Sequence, residues 1–167
     1  MQFTATAADP KKQRLRYERG YLETLSLIER LHRLLLDVIK DDFERSGASE
    51  VNSVQALLLY NIGDSELTAG ELRTKGYYQG SNVSYNLKKM VEFGYIHHER
   101  CSVDRRAVRI KLTPKGHAIR QQVANLFDRQ ITTISELPLY TTDEVSAQTD
   151  MLKRLERFWA DQIRFIY

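Results

Sequence analysis

Cysteine is all but absent from this chain of 167 residues, where Cys101 stands alone. One thiol closes no intramolecular disulfide and cannot furnish a thiolate zinc site within a single chain. That usage fits a reducing compartment. Proline is almost as scarce. Pro10, Pro114 and Pro138 fall where an N-terminal arm ends, a helix starts and a helix breaks. No apolar run approaches the ~18 residues of a membrane span. Met1–Pro10 lacks a charged stretch followed by an apolar one, so nothing marks it for export. A cytoplasmic protein without a membrane partner is the expectation. Catalytic signatures are missing too: there is no glycine-rich phosphate loop, nucleophile motif or metal-ligand helix motif. The chain is not expected to be an enzyme, nor to carry a cofactor or a metal. Neither internal repeats nor low-complexity tracts occur.

What is present is ordinary globular composition, 42% hydrophobic and 28% charged, on a chain long enough to bury a core without staples. The net charge of +3 is unremarkable until it is located. Between Arg73 and Arg120 eleven lysines and arginines face three acids (Glu92, Glu99, Asp104), a local +8 that leaves −5 for the rest. Such an excess points toward a polyanion, although a basic stretch is often only a solvated face.

The hydrophobic periods order the chain. After a loose arm, a helix is expected from roughly Lys12 to Arg45, with Leu22, Leu25, Ile28, Leu31, Leu35 and Val38 on one stripe and Gly47 as its stop. Asn52 caps a second helix that Gly63 closes. Thr68 and Glu71 form a capping box for a short helix ending at Gly76, and another helix runs from Ser81 to Glu92 or Phe93, with Gly94 as terminator. Val83, Leu87 and Met90 lie on its inner face. The period then changes: Tyr95–Arg100 and Val108–Leu112 read as two strands of a hairpin whose tip is Ser102–Ala107. Thr113-Pro114 opens a helix to about Ser135, and the capping box of Thr141 and Glu144 opens a final one.

Two short helices joined by a tight turn and followed by a hairpin have the make-up of a winged helix-turn-helix, whose second helix enters the major groove. On that helix Ser81, Asn82, Ser84 and Tyr85 offer hydrogen-bonding groups to base edges, and Lys88 and Lys89 supply cations for phosphates. The tip, Ser102-Val103-Asp104-Arg105-Arg106, presents two guanidiniums suited to a minor groove, with Asp104 holding the turn or pairing with an arginine. A polar helix face or a charged tip taken singly is as readily a solvated surface; the two together favour double-stranded DNA.

Asp104-Arg105-Arg106, five residues, then Leu112-Thr113-Pro114-Lys115-Gly116 match the pattern D-x-R-x5-L-T-x-x-G of the MarR family. Leu87–Arg100 is similar to that family's exit from recognition helix to wing. The chain resembles that family over most of its length after residue 20. The resemblance implies a homodimer on a pseudo-palindromic operator, usually a repressor, with DNA affinity modulated by a small ligand or by oxidation. Arg106 then takes the place of the wing arginine and Asp104 that of the wing acid. The chain departs from the pattern in its aromatic turn, Tyr77-Tyr78-Gln79-Gly80, and in the bulk of Tyr85, so the operator is not inferred from relatives.

The dimer also has a case of its own. The terminal helices carry more apolar surface than a small winged domain can cover, with Leu25 on the first and Leu152, Leu155, Trp159, Ile163 and Ile166 on the last. Folding back on the same chain is the alternative. A two-fold dimer sets its recognition helices about 34–36 Å apart, one turn of DNA. A small apolar or aromatic effector fits a cleft where the long helices meet the winged domain, though its lining is not legible. Cys101, near Arg100 and Arg105, is a candidate redox sensor but has no second cysteine to resolve it. His97, His98 and Cys101 give no standard zinc spacing.

The expectation is thus a mainly α protein with a small β-hairpin wing: a flexible arm at 1–12, an N-terminal dimerisation helix at 13–47, a winged helix-turn-helix at 48–113 and C-terminal dimerisation helices at 114–167. The alternatives are a winged helix used as a protein-interaction module, and a regulator sensing oxidation through Cys101.

Overall fold

The computed structural model describes residues 9–47, 50–64, 67–68, 71, 81–100, 108–137 and 140–166, with backbone alone at 81–84, 100, 108 and 166. In order these form α1 (Pro10–Ser46), α2 (Ser53–Ile62), β1 (Leu67–Thr68), α3 (Ser81–Glu92), β2 (Ile96–Arg100), β3 (Val108–Leu112), α4 (Pro114–Glu136) and α5 (Thr142–Ile166). The chain divides into two compact units, Met1–Val123 and Ala124–Tyr167.

Local caps set the helix ends. Asp9 accepts a hydrogen bond from the Lys11 amide at 3.0 Å, and Pro10 occupies the first turn of α1, where a missing N–H costs nothing. At α2 the Asn52 side chain accepts from the Gln55 amide at 2.9 Å while Gln55 Oε1 accepts from the Asn52 amide at 3.2 Å. Thr68 and Glu71 form the expected box, the Glu71 amide donating to Thr68 Oγ1 at 3.1 Å; the helix it would open lies outside the described residues. At α5 the Glu144 carboxylate accepts from the Thr141 amide at 2.8 Å, which holds its pKa below the ordinary value.

The core of the first unit gathers Ile39 and Phe43 of α1, Leu58, Leu59 and Ile62 of α2, Met90 of α3, Ile96, Ile110 and Leu112 of the sheet, and Val123 of α4. Only the C-terminal end of α1 reaches it. The stripe expected on α1 divides accordingly: Leu25, Ile28 and Leu35 are half-buried, whereas Leu22, Leu31 and Val38 are exposed. Each three-residue step falls about 60° short of a full turn, so three such steps carry Leu31 to the side of the helix opposite Leu22.

The sheet holds one strand more than the hairpin read from the sequence. β1 pairs antiparallel with β3, Leu67 opposite Ile110 and Thr68 opposite Arg109, giving the order β1-β3-β2. Two residues are too short for any period to show. β2 and β3 pair from Ile96↔Leu112 to Arg100↔Val108.

At the junction of sheet and α4, Thr113 and Gly116 fasten the backbone. The Thr113 amide donates to Tyr95 O at 3.1 Å and its hydroxyl to Gly94 O at 2.7 Å, while the same oxygen accepts the Gly116 amide at 3.1 Å. A Cβ on Gly116 would collide with the Tyr95 carbonyl oxygen, so only glycine fits there. Beside it, Lys115 Nζ lies 4.3 Å from the Tyr95 ring centroid and 2.9 Å from Glu50, whose carboxylate also accepts from Tyr95 OH at 3.1 Å. The hydrogen bond from Lys115, then that from Tyr95, holds the Glu50 pKa below its usual value, and Glu50 raises that of Lys115. The Glu50 contribution is complete above the ordinary carboxylate pKa and fades as pH falls through the depressed one. That of Lys115 is complete below the ordinary lysine pKa and fades as pH rises through the elevated one. The cluster is therefore intact across the neutral range.

Gly116→Ala is expected to cost about 2–4 kcal/mol of unfolding free energy, and Thr113→Val about 1–3 kcal/mol by leaving Gly94 O and the Gly116 amide unpaired. Denaturant unfolding checks both; an alanine variant as stable as the parent contradicts the close approach at Tyr95.

Candidate nucleic-acid interface

The interface is built on α3. Its inner side is anchored by Met90, which is fully buried, with Leu87 half-buried beside it. The helix ends in a tight αL cap: Gly94, at φ 74°, donates its amide to Val91 O at 3.0 Å, and the Tyr95 amide donates to Met90 O at 2.8 Å. This cap turns the chain straight into β2, so the helix and the hairpin are aimed together.

The opposite side is open. Tyr85 is exposed, and Lys88 and Lys89 follow it toward the C-terminal end. The two lysines are not equivalent. Lys89 Nζ sits 3.0 Å from Glu92 and 5.8 Å from the Phe93 ring centroid; the hydrogen bond to Glu92 raises its pKa. Lys88 is 4.0 Å from the same carboxylate, with its side chain 78% exposed. Glu92 thus offsets part of the charge at this end of α3, and Lys88 is the freer cation. Ser81, Asn82 and Ser84 lie on the first turns of α3 as backbone only. Their side chains are outside the described residues, as are Cys101, Asp104, Arg105 and Arg106 at the hairpin tip.

The described part of the hairpin adds cations that the sequence reading passed over. Ile96, Ile110 and Leu112 are buried, while His97, Glu99, Arg109 and Lys111 are exposed, with His97 opposite Lys111 and Glu99 opposite Arg109. Strand alternation puts those four on one face. Arg109 and Lys111 extend the positive stretch from the tip toward the base of the wing.

Residues 51–116 match the winged helix DNA-binding domain family. The exopolysaccharide II synthesis transcriptional activator ExpG of Rhizobium meliloti (strain 1021) is 34% identical over 151 residues, 87% of this chain and 74% of that protein. Among solved structures, FabT of Streptococcus pneumoniae in complex with DNA superposes with a TM-score of 0.66 at 19% identity, covering 85% of this chain and 99% of its own. A MarR mutant from E. coli complexed with operator DNA gives 0.62 at 20% identity over 81% and 95%. The chain belongs to the MarR family. This MarR-type protein is a winged-helix, DNA-binding transcription regulator, and the proteins it is similar to are regulators rather than enzymes.

Two residues that position α3 in this MarR-type fold were not singled out from the sequence. Gln55 is buried in α2, and besides capping Asn52 it donates through Nε2 to Asn86 Oδ1 at 3.3 Å. That bond joins the core helix to α3 directly. Nothing local in the sequence announces a partner 31 residues away. The apolar residues assigned to dimerisation fall in both units. Leu25 is half-buried on α1; on α5, Leu155 and Trp159 are half-buried, Leu152 and Ile163 are exposed, and Ile166 is described by its backbone alone.

Gln55→Ala and Asn86→Ala should each lower stability by about 1 kcal/mol, with a coupling energy of roughly 0.5–1.5 kcal/mol in the double-mutant cycle. Unfolding of the four proteins measures it; strict additivity would show that the tether contributes nothing.

Proposed function

We infer that this protein is a cytoplasmic homodimeric regulator that binds duplex DNA at a pseudo-palindromic operator. In this reading Ser81, Asn82, Ser84 and Tyr85 read base edges in the major groove, Lys88 and Lys89 neutralise phosphates, and Arg105 and Arg106 enter the minor groove with Asp104 supporting the wing. The observation that carries it is the contrast between the two sides of α3: Met90 and the Gln55–Asn86 bond lock the inner one, while Tyr85 and Lys88 stand open on the outer.

The domain division proposed is an arm at 1–12, a dimerisation helix at 13–47, the winged domain at 48–113 and dimerisation helices at 114–167. Leu25, Leu152, Leu155, Trp159, Ile163 and Ile166 belong to that dimer surface. The exposure of Leu152, Phe158, Ile163 and Phe165 on α5 supports an interface, since large apolar side chains clustered on one helix mark contact surfaces. Among the described residues no helix is long and apolar enough to cross a membrane. A small apolar or aromatic effector that alters DNA affinity follows from the family resemblance.

Repression is the output that resemblance implies. Activation is a second reading, favoured by the name of ExpG as a transcriptional activator. A reporter driven by the regulator's own upstream region separates them, falling on expression of the protein under the first and rising under the second.

Fluorescence anisotropy with that upstream duplex, against a shuffled one, tests the DNA reading. Tighter binding to the upstream duplex, weakening steeply with salt, is expected. Lys88→Ala should flatten the log–log salt slope by about one unit, and Lys89→Ala by less. No binding to either duplex at low salt by the folded protein would favour a protein-interaction module instead.

A further inference from the structure

α3 carries a single acid, Glu92, and places it in the last turn. Steps of four and three residues bring Lys88 and Lys89 onto that one carboxylate. Each amine takes its own oxygen: Lys89 Nζ lies 3.0 Å from Oε2 and Lys88 Nζ 4.0 Å from Oε1. Helix stability does not ask for an acid there. The C-terminal turn is the negative end of the helix dipole, and a lysine preceding a glutamate is the weaker order of such a pair. Both pairs are largely solvated, so they add little to the fold.

What the carboxylate does is decide where Lys89 points. The ammonium is drawn toward the C-terminal end of α3, where the half-exposed Phe93 ring lies under it, 5.8 Å from Nζ to the centroid. The hydrogen bond to Glu92 raises the pKa of Lys89, so the held group is fully cationic across the neutral range. Lys89 stands four residues after Tyr85, and Lys88 four after Ser84. Both cations therefore belong to the turn that follows the side chains read as meeting base edges, the place of a phosphate contact.

Phosphate and carboxylate compete for the same ammonium. Lys88, with its side chain 78% exposed, gives up only a 4.0 Å contact to reach a phosphate. Lys89 gives up a hydrogen bond and an aromatic face, and leaves a carboxylate turned toward the backbone charge. The penalty bears unequally on two kinds of complex. Non-specific binding is held by phosphate contacts, and the protein shifts freely until each available cation finds one. Specific binding fixes the register of α3 through base edges, which leaves a tucked-back Lys89 less to gain.

We propose that Glu92 is a specificity-determining residue: with Phe93 it withholds Lys89 from the phosphate backbone, weakening non-specific duplex more than the operator. It is a positioning residue, acting through Lys89. This deepens the DNA reading above and rests on it.

Glu92→Gln in the full-length protein tests it, by fluorescence anisotropy with the upstream and the shuffled duplex over a salt series. The exchange keeps the shape of an exposed side chain and removes its charge. Affinity for the shuffled duplex should rise about five-fold at about 0.1 M salt, with a log–log slope steeper by about one unit. Affinity for the upstream duplex should rise less than about two-fold, so discrimination falls. Phe93→Leu loosens the same cation without touching a charge and should move both quantities the same way, by a smaller amount.

In a Lys89→Ala background, Glu92→Gln should leave the discrimination unchanged. An equal rise on both duplexes, or no rise on either, overturns the proposal while leaving the DNA reading standing. A loss of discrimination that persists in full without Lys89 also overturns it, since the acid then acts by direct repulsion of phosphate. A parent that binds neither duplex overturns the DNA reading itself, and the proposal with it.

Discussion

The close passage of Gly116 over the Tyr95 carbonyl is the constraint on which the rest of the winged unit depends. Helix α3 ends, β2 starts and α4 starts beside it. Thr113 ties the three together by spending its amide on Tyr95 and its hydroxyl on Gly94 and Gly116. Because Met90 buries the last turn of α3 on the near side of the αL cap at Gly94, the angle between α3 and the hairpin is set by backbone geometry more than by side-chain choice. In the proposed reading a DNA-reading helix and a wing meet two grooves at once. A rigid joint between them lets the surface residues vary while the aim is kept.

Electrostatics act at a different scale. The excess of eleven cations over three acids between Arg73 and Arg120 suggests uniform attraction to phosphate, yet Glu92 sits against both lysines at the end of α3. The pairs are largely solvated and contribute little to stability. Their effect is on placement: Lys89 is held back over Phe93, and Lys88 is left to extend. On the hairpin, Glu99 stands opposite Arg109 in the same way. Net charge gives the sign of the partner, and the local acids decide which cations are poised to meet it.

The sequence made legible those features in which cause and effect lie within one turn of a helix. The cap at Asn52, the boxes at Thr68 and Thr141, the stop at Gly94 and the start at Thr113-Pro114 are set by neighbouring donors and acceptors, and all stand in the structure. Features that depend on distant partners were not legible. β1 is two residues long and exists because β3 offers it an edge; the Gln55–Asn86 bond spans 31 residues; and burial on α1 follows where α2 lies, not the helix's own period. The wing arginines and the first side chains of α3, named from pattern and resemblance, lie outside the described residues, so their assignment rests on the motif and on charge.

Hydrogen exchange of the backbone amides, with and without the upstream duplex, tests most directly the claim that α3 and the hairpin together hold DNA. The account predicts slowed exchange in α3, β2 and β3, with the middle of α1 unchanged. Slowing confined to α1 or α5, with α3 exchanging as in the free protein, would contradict it.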